Sequence, residues 1–312
     1  MSKLRMTPLK ACLALYSVVF LAIVWHYYPK RTDPPEAIHF QPTREAQVFY
    51  DAAFDAQQAR YEQVARAAAK RFHIKDNVTA FVDKYHLTKG HVLEVGSGEG
   101  LLQDVVPDYT GLDISATARL KYHKRFVQAD ARAMPFPDNE FDAVWTIWVL
   151  EHVPNPEQAL REIRRVLKPG GLLYLSPAWD CSDLAAQGYP VRPYSDFDVK
   201  GKLIKATVRL QESGLFQVMY ELPIRATRLA AWTLASGPTS LHYRPLDPNY
   251  KEYWMPDSDA VNSIDMYEAY LWFMSRGDEC LNCPAGWGTF SSADLVPIIR
   301  IRKSSVTESA SR

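Results

Sequence analysis

The run His91-Val-Leu-Glu-Val-Gly-Ser-Gly-Glu-Gly100 constrains the fold of this chain more than any other stretch. The apolar pair Val92-Leu93 leads to the acidic Glu94, and glycines follow at alternate positions, Gly96, Gly98 and Gly100. The pattern predicts a buried strand that passes through a tight glycine loop into a helix. Glycines at such a turn let the backbone bend sharply and let a ligand lie directly on it.

Downstream, strand and helix signals alternate. Tyr109–Ile114, Arg125–Gln128 and Phe141–Ile147 read as strands, with Pro135, Pro137 and Asp138-Asn139 marking the turn before the third. Pro156–Leu167 reads as a helix with Ala159, Leu160, Ile163 and Val166 on its apolar side; Pro169-Gly-Gly171 ends it and Leu172–Leu175 is the next strand. Such alternation implies a parallel sheet covered on both faces. Upstream, the stretch from Thr43 to about Lys70 and Ile74–Tyr85 read as helices. Regularity breaks from about Pro177 to Pro256, an aromatic-rich stretch. It returns with a helix from Ser263-Ile-Asp265 to about Ser275, a short strand near Glu279–Leu281 and a last strand at Leu295–Ile301.

Ala11–Tyr28 contains no Asp, Glu, Lys or Arg. As a helix this length nearly matches a bilayer core of ~30 Å. Lys3, Arg5 and Lys10 precede it, Lys30 and Arg31 follow it, and Trp25, Tyr27 and Tyr28 stand where an interfacial aromatic belt lies. A cleaved signal would want small residues after the apolar run; Trp25-His-Tyr-Tyr-Pro29 is bulky. The expectation is a retained single-pass anchor. Flanking charge does not settle its orientation.

Lys plus Arg number 36 and Asp plus Glu number 36, so net charge gives no case for nucleic-acid binding. The four cysteines are too few for a disulfide scaffold. Cys280-x-x-Cys283 lacks the second pair that a structural zinc site wants, so ordinary reduced cysteines are expected.

Behind the glycine loop, Asp113 ends the second strand, where a carboxylate can accept from a ribose diol; Asp130 follows the third, where one can accept from an exocyclic amine. The order of these residues resembles a class I S-adenosylmethionine-dependent methyltransferase of the methyltransferase-11 type. The resemblance rests on Val92–Gly100, Gly111-Leu-Asp-Ile-Ser115, Gln128-Ala-Asp-Ala131, Met134–Asp142, Val149-Leu-Glu-His-Val153 and Leu160–Gly171. It implies an α/β fold: a Rossmann-like, seven-stranded, mostly parallel sheet with helices on both faces. The cofactor implied is S-adenosyl-L-methionine. Glu94 with Gly96, Ser97, Gly98 and Gly100 would hold its methionine end, Asp113 with Ile114 its ribose, and Asp130 with Ala131 its adenine. Ile147 and Trp148 would line the cofactor near the sulfonium. A dinucleotide dehydrogenase would favour G-x-G-x-x-G over the G-x-G-x-G seen here.

Methyl transfer needs a base only when the acceptor must lose a proton. Glu151 and His152 are the candidates; the alternative is that Glu151 pairs locally and His152 packs beside the adenosine. Some quinone-pathway O-methyltransferases carry an extra Glu three residues before the Glu-His pair and bind a metal. That position is Trp148 here, which argues against a metal.

The chain divides into an anchor (1–31), a linker with N-terminal helices (32–86), the cofactor-binding core (87–179), an insertion that holds the acceptor site (180–260), a C-terminal helix and strands (261–303) and a tail (304–312). In the insertion, Lys200, Lys202, Lys205, Arg209, Arg225 and Arg228 interleave with Leu203, Ile204, Val208, Leu215, Phe216 and Val218. Such a basic amphipathic stretch either rests on anionic lipid or is a lid with a solvated face. The expected function is a membrane-anchored methyltransferase with its catalytic domain on the cytoplasmic face and a lipid-linked or apolar acceptor. The alternative is a non-catalytic, membrane-tethered S-adenosylmethionine-binding scaffold or sensor.

Overall fold

β1 (Val92–Val95) is buried at every position and lies in parallel between β2 (Tyr109–Asp113) and β4 (Phe141–Ile147). The computed structural model describes residues 8–34, 44–53, 59–235, 237–250, 253–292 and 295–303. Lys3 and Arg5, part of the linker prolines and the tail lie outside these residues. β3 (Arg125–Gln128), β5 (Leu167–Ser176), β8 (Glu279–Cys280) and β9 (Ile298–Arg300) complete a seven-stranded sheet of order β3-β2-β1-β4-β5-β9-β8. The first five strands are parallel, and β9 runs antiparallel to both β5 and β8. The order reverses between β1 and β4, which opens a crevice at their carboxyl ends.

Side chains alternate between the two faces, as the pleat requires. Leu93, Val95, Val144, Leu173 and Leu175 pack under α5 (Pro156–Val166) and α9 (Met266–Met274). Val92, Ala143, Trp145, Leu172 and Tyr174 face α4 (Ile74–Lys84), whose Val78, Phe81 and Val82 form the expected apolar side. α2 (Arg44–Ala53) and α3 (Ala59–Arg71) account for the expected helical stretch before it.

Three expectations about local structure change. No helix follows the glycine loop: Gly100, Gln103 and Val105 donate to carbonyls three residues back instead. The run between Gly100 and Pro107 is too short to recover the cost of helix nucleation, yet Leu102 and Val106 are still buried on the α4 face. β5 begins at Leu167, ahead of Pro169-Gly-Gly171, because the pairing with β4 shifts register: Leu167 lies opposite Phe141 and Leu172 opposite Ala143. Cys280 and Cys283 are joined as a disulfide, not free; the chain turns after β8 and brings their Cα atoms to 5.5 Å, within bonding range.

The stretch expected to be irregular contains α6 (Asp183–Ala186), α7 (Val199–Gln211) and α8 (Gly214–Ala235), then β6 (Arg244–Pro245) paired with β7 (Asn262–Ser263). α8 continues through Pro223, which is why its helical period is masked in the sequence. The basic run also changes meaning. Arg225 is buried against Asp265 at 2.8 Å, and Arg228 is buried against Glu268 at 2.5 Å. Both therefore tie α8 to α9 and its N-cap, and neither is available to lipid. Lys205 donates to the carbonyls of Tyr189 and Pro190. After α9, a short α10 (Trp287–Phe290) precedes β9.

α1 (Pro8–Tyr27) is long and apolar enough to cross a membrane, and its apolar stretch is not buried in the protein. Its C-terminal end packs on α8, where Tyr27 stacks on Tyr220 with ring centroids 4.0 Å apart.

Candidate active site

The glycine loop closes over the carboxyl end of β1. Gly96, Gly98 and Gly100 have φ of 69°, 50° and 75°, a region that side chains disfavour. A Cβ on Gly96 would stand 2.1 Å from Val149 Cγ2. The amides of Gly96 and Ser97 donate to the Leu112 carbonyl at 2.8 and 3.0 Å, and the Gly98 amide donates to Asp113 Oδ2 at 2.8 Å. Asp113 Oδ1 accepts from Ser115 at 2.9 Å. Each carboxylate oxygen keeps a second lone pair. Burial raises the Asp113 pKa, against the pull of these backbone donors.

Glu94 lies beneath the loop, opposite Gly111 on β2 and Trp145 on β4. It accepts from the Tyr109 hydroxyl. Burial pushes its pKa up to about 8, while the Tyr109 and Trp145 donors pull the other way. Gly111 makes room for this arrangement, since a Cβ there would be 2.6 Å from the Tyr122 ring.

A cavity of about 600 Å³ opens from the loop, inside the ~300–1,000 Å³ range of small-molecule sites. Ten of the eleven expected cofactor residues line it; Gly100 does not, and its free space is taken by Gln103 and Tyr122. Asp130 reaches the wall already clamped by Arg132, whose Nε and Nη2 donate to its two oxygens at 2.9 and 2.6 Å. α2 and α3 cover the opening. Gln47 donates to the Ile114 carbonyl at 3.2 Å, Asp51 accepts from the Ala116 amide at 2.9 Å, and Arg66 makes a bidentate pair with Glu99.

At the other end the cavity meets Tyr50, Tyr61, His152, Pro248, Tyr250 and Val261. Phe49 packs beside Tyr61 and Tyr250, with ring centroids 5.7 and 5.2 Å away. After β4 the chain passes Trp148, which has φ of 55°, into a tight turn over Leu150–His152. β7 straps this turn: Asn262 donates to the carbonyls of Leu150 and Val153 at 3.1 and 2.7 Å. His152 Nδ1 therefore lies 3.4 Å from Asp259 Oδ2, and Glu151 Oε1 lies 3.8 Å from Nε2. Tyr50 donates to the same Asp259 oxygen at 2.9 Å. Burial alone would lower the His152 pKa; the carboxylates of Asp259, Glu151 and Asp257 outweigh it and raise it. Glu151 is fully buried behind His152, outside the cavity wall, and burial pushes its pKa up to about 7 against the nearby imidazole.

Residues 93–175 match the family model described as "Methyltransferase domain". This stretch belongs to the class I S-adenosylmethionine-dependent methyltransferases. Similar curated proteins include the sterol 24-C-methyltransferase ERG6B of Gibberella zeae, 27% identical over 80% of this chain and 64% of that protein. Another is the ubiquinone/menaquinone biosynthesis C-methyltransferase UbiE of Hahella chejuensis, 44% identical over 25% of this chain and 32% of that protein. The chain thus spans less than two thirds of the length of either relative. Among solved structures, SAM-bound CalS10, an amino pentose methyltransferase from Micromonospora echinaspora, is 24% identical, with a TM-score of 0.33, over 38% of this chain and 56% of that one.

The methyltransferase core fits S-adenosylmethionine on its own geometry. A buried carboxylate lies under a loop whose Gly96 has no room for a side chain, and a second carboxylate with spare lone pairs stands beside it. Tyr50 and Asn262 are the residues that sequence reasoning missed; Asp259 stands in the polar Asp257-Ser-Asp-Ala260 run between aromatics, which reads either as part of the pocket or as turn and helix-cap chemistry.

Proposed function

We propose that this protein is a membrane-anchored, S-adenosylmethionine-dependent methyltransferase acting on an apolar, lipid-type acceptor. One observation carries the reading: a single cavity joins the glycine loop to the His152–Asp259 pair and an aromatic wall. Glu94, Ser97 and the glycine loop would hold the methionine end, Asp113 the ribose, and Asp130 with Ala131 the adenine. The cofactor supplies an activated methyl group on a sulfonium, so the protein's contribution is mainly positioning and exclusion of water. Ile147 and Trp148 wall the reacting end, and α2 and α3 cover it. His152 takes a proton from the acceptor where one must leave. Asp259 holds the imidazole through Nδ1 and stabilises the charge it gains, and Tyr50 orients Asp259.

The lipid-type acceptor is supported by the aromatic wall, by α1, and by the sterol and quinone names of the similar methyltransferases. A cofactor made in the cytosol favours a cytoplasmic catalytic face. The test is incubation of the full chain with methyl-labelled cofactor and a membrane lipid extract. Label entering the organic phase is the expected result. Tight cofactor binding with no transferred label would instead identify a binding scaffold.

A further inference from the structure

Two helices of the insertion carry an apolar surface that none of the described residues covers. On α7, Val199, Leu203 and Leu210 are 77%, 66% and 60% exposed. At ~100° per residue they fall, with exposed Ala206, on one narrow stripe. The opposite side packs inward through Gly201 and Val208. Lys200, Lys202 and Arg209 flank the stripe, exposed and with no ion pair among the described residues. α8 continues the surface. Its charged residues, Glu221, Arg225 and Arg228, are all buried, while Leu215 and Leu234 are each 85% exposed. α1 ends against this same helix, with Tyr27 stacked on Tyr220 and edge-on to Phe216.

We propose that α7 and α8 form a second membrane contact, lying in the plane of an anionic leaflet beside α1. Continuity with α1 names the occupant, and so does charge: an apolar stripe whose flanking charges are all cations fits headgroups of opposite sign, with the basic side chains reaching to the phosphates. The contact lays the insertion that lines the cavity through Pro248 and Tyr250 against the bilayer. It rests on the reading of α1 as a membrane helix and is independent of methyl transfer.

The test uses the full chain with Cys12→Ser in phosphatidylcholine vesicles containing about one third phosphatidylserine. Single fluorescent labels go on Leu203→Cys, Leu215→Cys, Leu15→Cys in α1 and Leu120→Cys, an exposed site on the turn after β2. Lipid-borne nitroxide should quench the labels at Leu203 and Leu215 several-fold more than the label at Leu120, and iodide correspondingly less. Replacing Lys200, Lys202 and Arg209 by Gln should remove the dependence of that quenching on phosphatidylserine. Iodide quenching at Leu203 and Leu215 equal to that at Leu120 overturns the proposal, as does shielding from both quenchers, which would mean a protein partner or a second copy. The Leu15 label reports separately on the α1 reading.

Discussion

His152 Nδ1 faces Asp259 Oδ2 at 3.4 Å, although the two residues lie on segments far apart in the chain. The strap of Asn262 onto the Leu150–His152 turn creates the contact. Tyr50 ties Asp259 by a hydrogen bond, while the buried His152 Nδ1 makes none and is oriented toward that carboxylate by charge and by the packing of the turn.

The pair predicts a pH signature. His152→Ala should lower kcat by roughly 10²–10⁴-fold for an acceptor that must be deprotonated, with cofactor affinity nearly unchanged. Asp259→Asn removes the carboxylate first among those that raise the imidazole pKa. The acid limb of the kcat profile should therefore move to lower pH. A limb that stays in place would show that His152 is not the titrating base.

Gly96→Ala tests the loop. The added methyl would meet Val149 at 2.1 Å in a left-handed backbone. Overpacking and the φ penalty together should cost about 2–4 kcal/mol. Urea unfolding should report the stability loss, and calorimetry should show cofactor affinity falling with it. Gly170→Ala is the control, since it also has positive φ but meets nothing within 4 Å.

The readable part of the sequence was the part with one period. Val92–Val95 and Phe141–Ile147 are buried on both faces, so they appear as near-continuous apolar runs with sharp ends. The cofactor residues follow those strands directly, and ten of them reach one cavity. What could not be read depends on distant contacts or on masked periods. Pro223 hides the length of α8, and Arg225 and Arg228 look like surface charge until Asp265 and Glu268 are brought against them. The missing helix after Gly100 reflects a short span between Gly100 and Pro107, a constraint that the glycine pattern itself does not carry.

Glu94 predicts how stability varies with pH. Its folded pKa, raised to about 8 chiefly by burial, lies above its ordinary 4.5. The folded state therefore binds the extra proton between those values. The associated stability is fully present below about pH 4.5 and is lost as pH rises through about 8, with a slope near 1.4 kcal/mol per pH unit as an upper bound. Chemical denaturation from pH 5 to 8 should show the decline, and Glu94→Gln should flatten it. An equal slope in the variant would assign the decline to another group.

Arg225 holds α8 to the N-cap of α9 and to the α10 segment. Its guanidinium is 1% exposed, pairs with Asp265 through Nε and Nη2, and donates through Nη1 to the carbonyls of Phe290 and Ser292 at 2.9 Å each. Arg225→Met takes the cation away from the half-buried Asp265 and from the buried Glu221, which should cost about 3–5 kcal/mol. Arg209→Met on exposed α7 should change stability by less than about 0.5 kcal/mol. Because two carbonyls of the α10 segment also lose their donor, limited proteolysis should cut near Phe290 in the Arg225 variant at denaturant concentrations where the parent chain is intact. A global loss of stability without that local cleavage would place the arginine's role in joining α8 to α9 alone.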